Sequence, residues 1–182
     1  MARSVPENPP GTPGLKRAAA LVPLSQDHHA ALVQAQALRR AAAGTTPYDG
    51  EGAPERVARG FLAFREAELV GHFGDEEQVL LPASLAVDPE GSARVRGEHA
   101  QLNALAAALQ QALAGGRDPR PVMAELGALL HDHVRYEERA YFETLQARLG
   151  AEELERLGRA IQARREARGL GSGPTCAVPP PR

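Results

Sequence analysis

The sequence has no tryptophan, a single isoleucine (Ile161) and a single cysteine (Cys176), and aromatic residues make up only 4% of it. Sheets are built largely from β-branched and aromatic residues, so their scarcity argues against a β or mixed domain. One cysteine, in a Pro/Gly-rich stretch near the C-terminus, excludes a disulfide framework and a thiolate cluster for zinc or iron–sulfur binding, and suits a reducing cytoplasm. Neither sign of charge predominates. The formal net charge of -2 gives no general attraction for nucleic acid or anionic lipid, so the expected partners are small. Long hydrophobic runs are missing too: "KRAAALV" reaches Pro23 before it could form a signal-peptide core, and nothing approaches the roughly 18 residues of a membrane span. These absences lead to the expectation of a soluble, cytoplasmic protein.

What remains is helical. Hydrophobic residues are 43% of the chain, mostly Ala, Leu and Val, and they alternate with Glu, Gln and Arg, all strong helix formers. At 182 residues the chain suffices for one domain with a sizeable core, with something left at the ends. Ser4 to Gly14 and Gly169 to Arg182 are rich in Pro and Gly and read as flexible tails. Breakers at Gly44 to Pro54, Pro82 to Gly91 and Gly115 to Pro121 leave four long segments: Leu24 to Ala43 with Ser25 as N-cap, Glu55 to Leu81, Pro89 to Ala114, and Pro121 to Leu149. A shorter charged helix follows Gly150. Short connections between long helices favour antiparallel neighbours, which predicts an all-α, up-down-up-down four-helix bundle with the extra helix outside it. The expected division is a tail over 1–20, the bundle over 21–149, an extra C-terminal helix over 150–168 and a tail over 169–182.

Helical geometry, at about 100° per residue, sorts the histidines. In the fourth segment Val122, Leu126, Leu129, His133, Glu137 and Ala140 share one face, whereas His131 and Glu138 turn towards solvent. The second repeats the pattern, with Phe61, Arg65, Glu68, His72, Glu76 and Val79 on one face and Glu77 turned away. In the third, His99 borders a stripe of Val95, Leu102, Ala106, Leu109 and Leu113. In the first, His28 joins Leu24, Ala31, Leu32, Ala35 and Leu38; His29 lies about 100° off that line and is the alternative first-helix candidate. Each helix thus offers one inward histidine, and two of them add a carboxylate one turn later. His72 and His99 each lie ten residues from the breaker between their helices, about 15 Å along each, and so reach one level. His28 arrives there only if the first helix enters partway up, with "KRAAALVPL" covering the gap.

A single buried histidine is ordinarily a satisfied core residue. Four imidazoles and two carboxylates together are another matter, since unpaired buried charge costs several kcal/mol and a bound cation would supply the compensation. Two glutamates from facing helices, each one turn past a histidine, suit a pair of ions bridged by carboxylates. Two octahedral ions offer about twelve positions, of which this set and a bridging oxygen would leave roughly two open.

"PLSQDHHAAL", "HFGDEEQVLLP", "EHAQL" and "HVRYEERAYF", taken in that order, resemble the successive helix signatures of the hemerythrin-like HHE cation-binding family, over about Leu21 to Leu149. The resemblance implies a four-helix bundle around a non-haem di-iron centre with an oxo or hydroxo bridge. By position it implies His28, His72, Glu76, His99, His133 and Glu137 as ligands of two iron ions. Oxygen-carrying hemerythrins differ: they have a second histidine where this chain has Asn103, and a fourth-helix Asp five residues past the histidine where this chain has Glu137 at four. Fewer imidazoles imply a more open site, and hence oxygen, nitric-oxide or peroxide binding or sensing, or a non-catalytic role in iron storage, repair or sensing. Glu68 is a candidate to accept a hydrogen bond from a ligand histidine, with an ion pair to Arg65 or Arg139 as the alternative. Tyr136 and Tyr141 could reach a bound oxygen species, although core packing is the plainer reading. His29, His131, Glu77 and Glu138 read as solvated.

Overall fold

A computed structural model describes residues 16–45 and 53–169. Ser4 to Gly14, Cys176 and the expected C-terminal tail beyond 169 lie outside the described residues, as does the middle of the Gly44 to Pro54 breaker. The described residues are almost entirely helical, with no strand among them. They form five helices: α1 (Val22–Ala42), α2 (53–84), α3 (Pro89–Ala114), α4 (120–148) and α5 (Ala151–Ala167).

The ends follow local chemistry. Ser25 is not a cap: Pro23 occupies the first turn of α1, where its missing N–H costs nothing, and the helix begins at Val22. Asp88 caps α3 by accepting a hydrogen bond from the Gly91 N–H at 3.0 Å. Within residues 16–20, assigned to the tail by sequence, Arg17 and Ala18 are half-buried. Ala20 is buried, and the 3₁₀ turn Ala19–Leu21 lies against α5. A Cβ placed on Gly158 would come within 3.2 Å of the Ala20 backbone, so glycine permits that close approach. Gly127 does the same for α1 against α4, its missing Cβ leaving room for the Ala35 carbonyl.

The long helices α2 and α4 are interrupted by wide turns in which an N–H reaches back five residues instead of four. These are Arg65–Leu69, Glu76–Leu80 and Glu137–Tyr141; the Leu81 N–H donates to Glu76 O and the Phe142 N–H to Glu137 O. Each wide turn advances the helical phase by about one residue. Val79, expected to face inward, is therefore only half-buried while Leu80 is fully buried, and Ala140 is exposed while Tyr141 and Phe142 are buried. Arg65 and Glu68 are likewise only half-buried.

The four long helices form a ring of neighbours, with α1 against α2 and α4, and α3 against α2 and α4. Their apolar side chains make two clusters, one around Ala35, Phe61, Leu109 and Leu126, the other around Leu24, Leu80, Val95, Tyr141, Leu157 and Ile161. The second cluster includes Leu157 and Ile161, the apolar edge of α5. Along α1 and α3 the chain meets the second cluster first; along α2 and α4 the order is reversed. Between the two clusters lies a layer that neither supplies.

Candidate metal centre

That layer consists of His28, His72, Glu76, His99, His133 and Glu137, each 3% exposed or less. All six sit on helical positions flanked by core residues, such as Leu24 and Ala31 around His28, or Val95 and Leu102 around His99. Apolar packing on both sides therefore fixes their level. Their donor atoms gather into two overlapping groups, His28, His72, Glu76 and Glu137 in one, and Glu76, His99, His133 and Glu137 in the other, each within 4.8 Å. Both glutamates belong to both groups. His29 is exposed and His131 pairs with the neighbouring Asp132 at 2.8 Å, so neither enters the layer.

Close approaches fill the interior. His28 Nε2 lies 3.1 Å from Glu137 Oε2 and 3.2 Å from His72 Nε2, and His99 Nε2 lies 3.1 Å from Glu76 Oε2. Each glutamate also approaches the histidine one turn before it, Glu76 at 3.4 Å and Glu137 at 3.3 Å. Even so, both oxygens of Glu76, both of Glu137, and Nε2 of His99 and of His133 have no partner in hydrogen-bonding geometry. Buried polar atoms are nearly always satisfied, and six orphans converging on one space fit a site built for cations. Imidazole nitrogen with carboxylate oxygen, and no thiolate, suits iron, manganese or zinc.

The outer ring nitrogens are all engaged by carboxylates. His28 Nδ1 lies 2.6 Å from Glu138, His72 Nδ1 3.2 Å from Asp27, His99 Nδ1 3.0 Å from Glu77, and His133 Nδ1 2.8 Å from Glu98. A carboxylate at Nδ1 places the proton there and leaves Nε2 free to face the interior. This corrects two expectations. Glu138 is half-buried rather than solvated, and the partner of His72 is Asp27, not Glu68; Glu77 is exposed, as expected, yet still engages a ring. Asp27 and Glu98 had no assigned role. The signal was present as doublets: an acid directly precedes His28 and His99, and another directly follows Glu76 and Glu137.

The layer has approximate two-fold symmetry. Asp27 and His28 of α1 correspond to Glu98 and His99 of α3, and His72, Glu76 and Glu77 of α2 to His133, Glu137 and Glu138 of α4. The rings of His28 and His72 meet edge to face at 4.9 Å and 67°, and those of His99 and His133 do so at the same distance and angle. Phe142 stacks on His28 and Phe73 on His99, at 5.5 and 4.0 Å.

Charge is balanced within this network. Burial would raise the Glu76 carboxyl, but His72, His99 and His28 outweigh it and hold it well below the usual range. Burial would lower His28, but Glu137 and Glu138 raise it to about 10; burial and Glu76 act in the same opposed way on His99, with a net rise. Outside, burial is again overcome: His28, Ser25 and Arg17 bring Glu138 down to about 2, His72 and Arg165 lower Asp27, and His133 and Arg94 lower Glu98.

Other candidates find different partners. Arg65 bonds Glu66 and donates to Asn103 Oδ1 at 2.8 Å, which ties Asn103 away from the donor layer. The Tyr141 hydroxyl is 2.6 Å from Ser84 Oγ, itself 2.7 Å from Ser92 Oγ, in a polar pin joining α2, α3 and α4. Tyr136 carries the Arg94 guanidinium on its face at 3.6 Å. Both tyrosines therefore act in packing.

No helix among the described residues is long and apolar enough to cross a membrane. No curated protein and no solved structure matches the chain significantly. A family model does: residues 21–145, more than half of the chain, match the hemerythrin HHE cation-binding domain, and the whole donor layer falls inside that span. The chain belongs to the hemerythrin HHE cation-binding domain family.

Proposed function

We propose that the protein is a non-haem di-iron protein. His28 and His72 would hold one ion, His99 and His133 the other, with Glu76 and Glu137 shared between them. The observation that carries this reading is the pair of overlapping donor groups with both carboxylates in common, together with their unpartnered oxygens. The reversed order in which successive helices meet the two apolar clusters supports the up-down-up-down bundle that the reading requires.

Bound iron would supply reversible one-electron chemistry and open coordination positions for oxygen, nitric oxide or peroxide. The chain's own residues do the rest. Asp27, Glu77, Glu98 and Glu138 hold the Nδ1 protons and so present four Nε2 lone pairs inward. The apolar clusters above and below keep bulk water from the layer, which strengthens the attraction between carboxylate and cation. Because the donors must be deprotonated, loading releases protons.

Anaerobic loading with Fe(II), followed by exposure to air, tests the proposal. Two ions per chain and the near-ultraviolet absorption of paired ferric ions are expected. Two ions with no optical response to air, nitric oxide or peroxide would instead favour a storage, repair or sensor module, and fewer than two would refute the di-iron reading.

A further inference from the structure

The helix α5 begins beyond the residues that match the family, yet it reaches the carboxylates behind one side of the donor layer. Arg165 grips Asp27 with both arms of its guanidinium, Nη1 to Oδ2 at 2.7 Å and Nη2 to Oδ1 at 3.1 Å. The same Oδ2 lies 3.2 Å from His72 Nδ1. Arg165 is only 13% exposed, so this is a shielded, bidentate pair rather than a surface contact. One turn along the α2 face, Asp75 is fully buried between Arg164 and Arg168, at 2.9 and 2.7 Å. Asp75 directly precedes Glu76. Arg164 and Arg165 of α5, with Arg168 just past its end, thus hold the carboxylates beside His72 and Glu76.

We infer that Arg165 is a positioning residue of the metal centre, acting through Asp27 on His72, and that α5 is a working part of the centre rather than an appendage. The inference rests on the two-ion reading given above. An Arg-fixed carboxylate holds the imidazole at one rotation and tautomer before the ion arrives, so less ordering is left to binding. The other side differs: His99 leans on Glu77, which is 44% exposed, and the residue supporting Glu98 is Arg94, which is 48% exposed. The expected consequence is unequal affinity, with the His28/His72 ion held more tightly. Half-buried Glu68 of α2 is the other acid facing this pair; burial first, and then Asp27, raise its carboxyl, with Arg165 opposing them, so removal of Arg165 would also set Asp27 against Glu68.

Co(II) titration of the full chain tests this, with d–d absorption reporting each coordination sphere and wild-type stoichiometry testing the two-ion reading separately. Arg165→Gln is expected to weaken one ion by about 10- to 100-fold, the scale for removing such outer partners, while the other keeps its affinity and spectrum. Arg159→Gln, on the exposed face of α5, should change neither. Two further variants guard against a folding defect. Asp27→Asn should produce the same one-site loss, and Arg165→Lys, which keeps the charge without the fork, should recover part of it. Unchanged affinity in Arg165→Gln and Asp27→Asn, or equal weakening of both ions, would overturn the inference.

Discussion

On the His28/His72 side of the layer the outer carboxylates are tied down by arginines from both ends of the described chain, Arg17 on Glu138 and Arg165 on Asp27. On the His99/His133 side, with the same inner donors and the same ring geometry, the carboxylates face solvent or lean on an exposed Arg94. Pseudo-symmetry inside and asymmetry outside point to a division of labour. On the proposed reading the inner donors would decide what binds, and the outer contacts how firmly each half is held.

The largest effect should come from what both halves share. Glu76→Gln combined with Glu137→Gln removes the charge common to both donor groups, and metal analysis should find both ions lost. The metal-dependent rise in Tm should vanish with them, a linkage stabilisation of about 4 kcal/mol at a metal concentration a thousandfold above Kd. Retention of one ion would show that the carboxylates are not shared. Next come the histidines that the halves do not share: His72→Ala and His133→Ala should each cost one ion, and loss of both from either variant would break the comparison.

The pH dependence should reverse on metal binding. In the metal-free protein His28 is raised from 6.5 to about 10, so the stability it contributes is complete below about pH 6.5 and fades as pH climbs towards 10. Glu138 works at the other end, lowered from 4.5 to about 2, with stability present above 4.5 and lost as pH falls through that window. Bound metal displaces the inner proton, so thermal melts from pH 7 to 9.5 should fall without metal and rise or hold with it. The smallest effect should be at Glu77. Glu77→Gln, at an exposed position, should weaken metal binding by no more than a few-fold, less than Glu98→Gln.

The inward placement of these residues was legible in the sequence because regular α-helical phase holds between the wide turns, from Val70 to Glu76 in α2 and up to Glu137 in α4. His72 and Glu76, and His133 and Glu137, lie within those regular stretches, and a 100° wheel places them correctly. Past those residues the wheel fails. The wide turns starting at Glu76 and Glu137 bury Leu80 and Tyr141 in place of Val79 and Ala140, and no propensity marks a turn of that kind. The outer carboxylates were missed for a different reason. Glu138 serves a histidine on α1 and Glu77 one on α3, so their roles belong to the seams between helices, whereas a wheel describes one helix at a time. The contribution of α5 was hidden in the same way. Its arginines read as an ordinary charged face, and only their approach to Asp27 and Asp75 distinguishes Arg164, Arg165 and Arg168 from the solvent-facing Arg159.

The central claim, one centre of two ions sharing Glu76 and Glu137, is tested most directly by native mass spectrometry of the anaerobically Fe(II)-loaded chain. The account predicts two iron ions per wild-type chain, and none in the Glu76→Gln/Glu137→Gln variant. A wild-type chain that saturates at one ion, or a variant that still carries one or two, would contradict it.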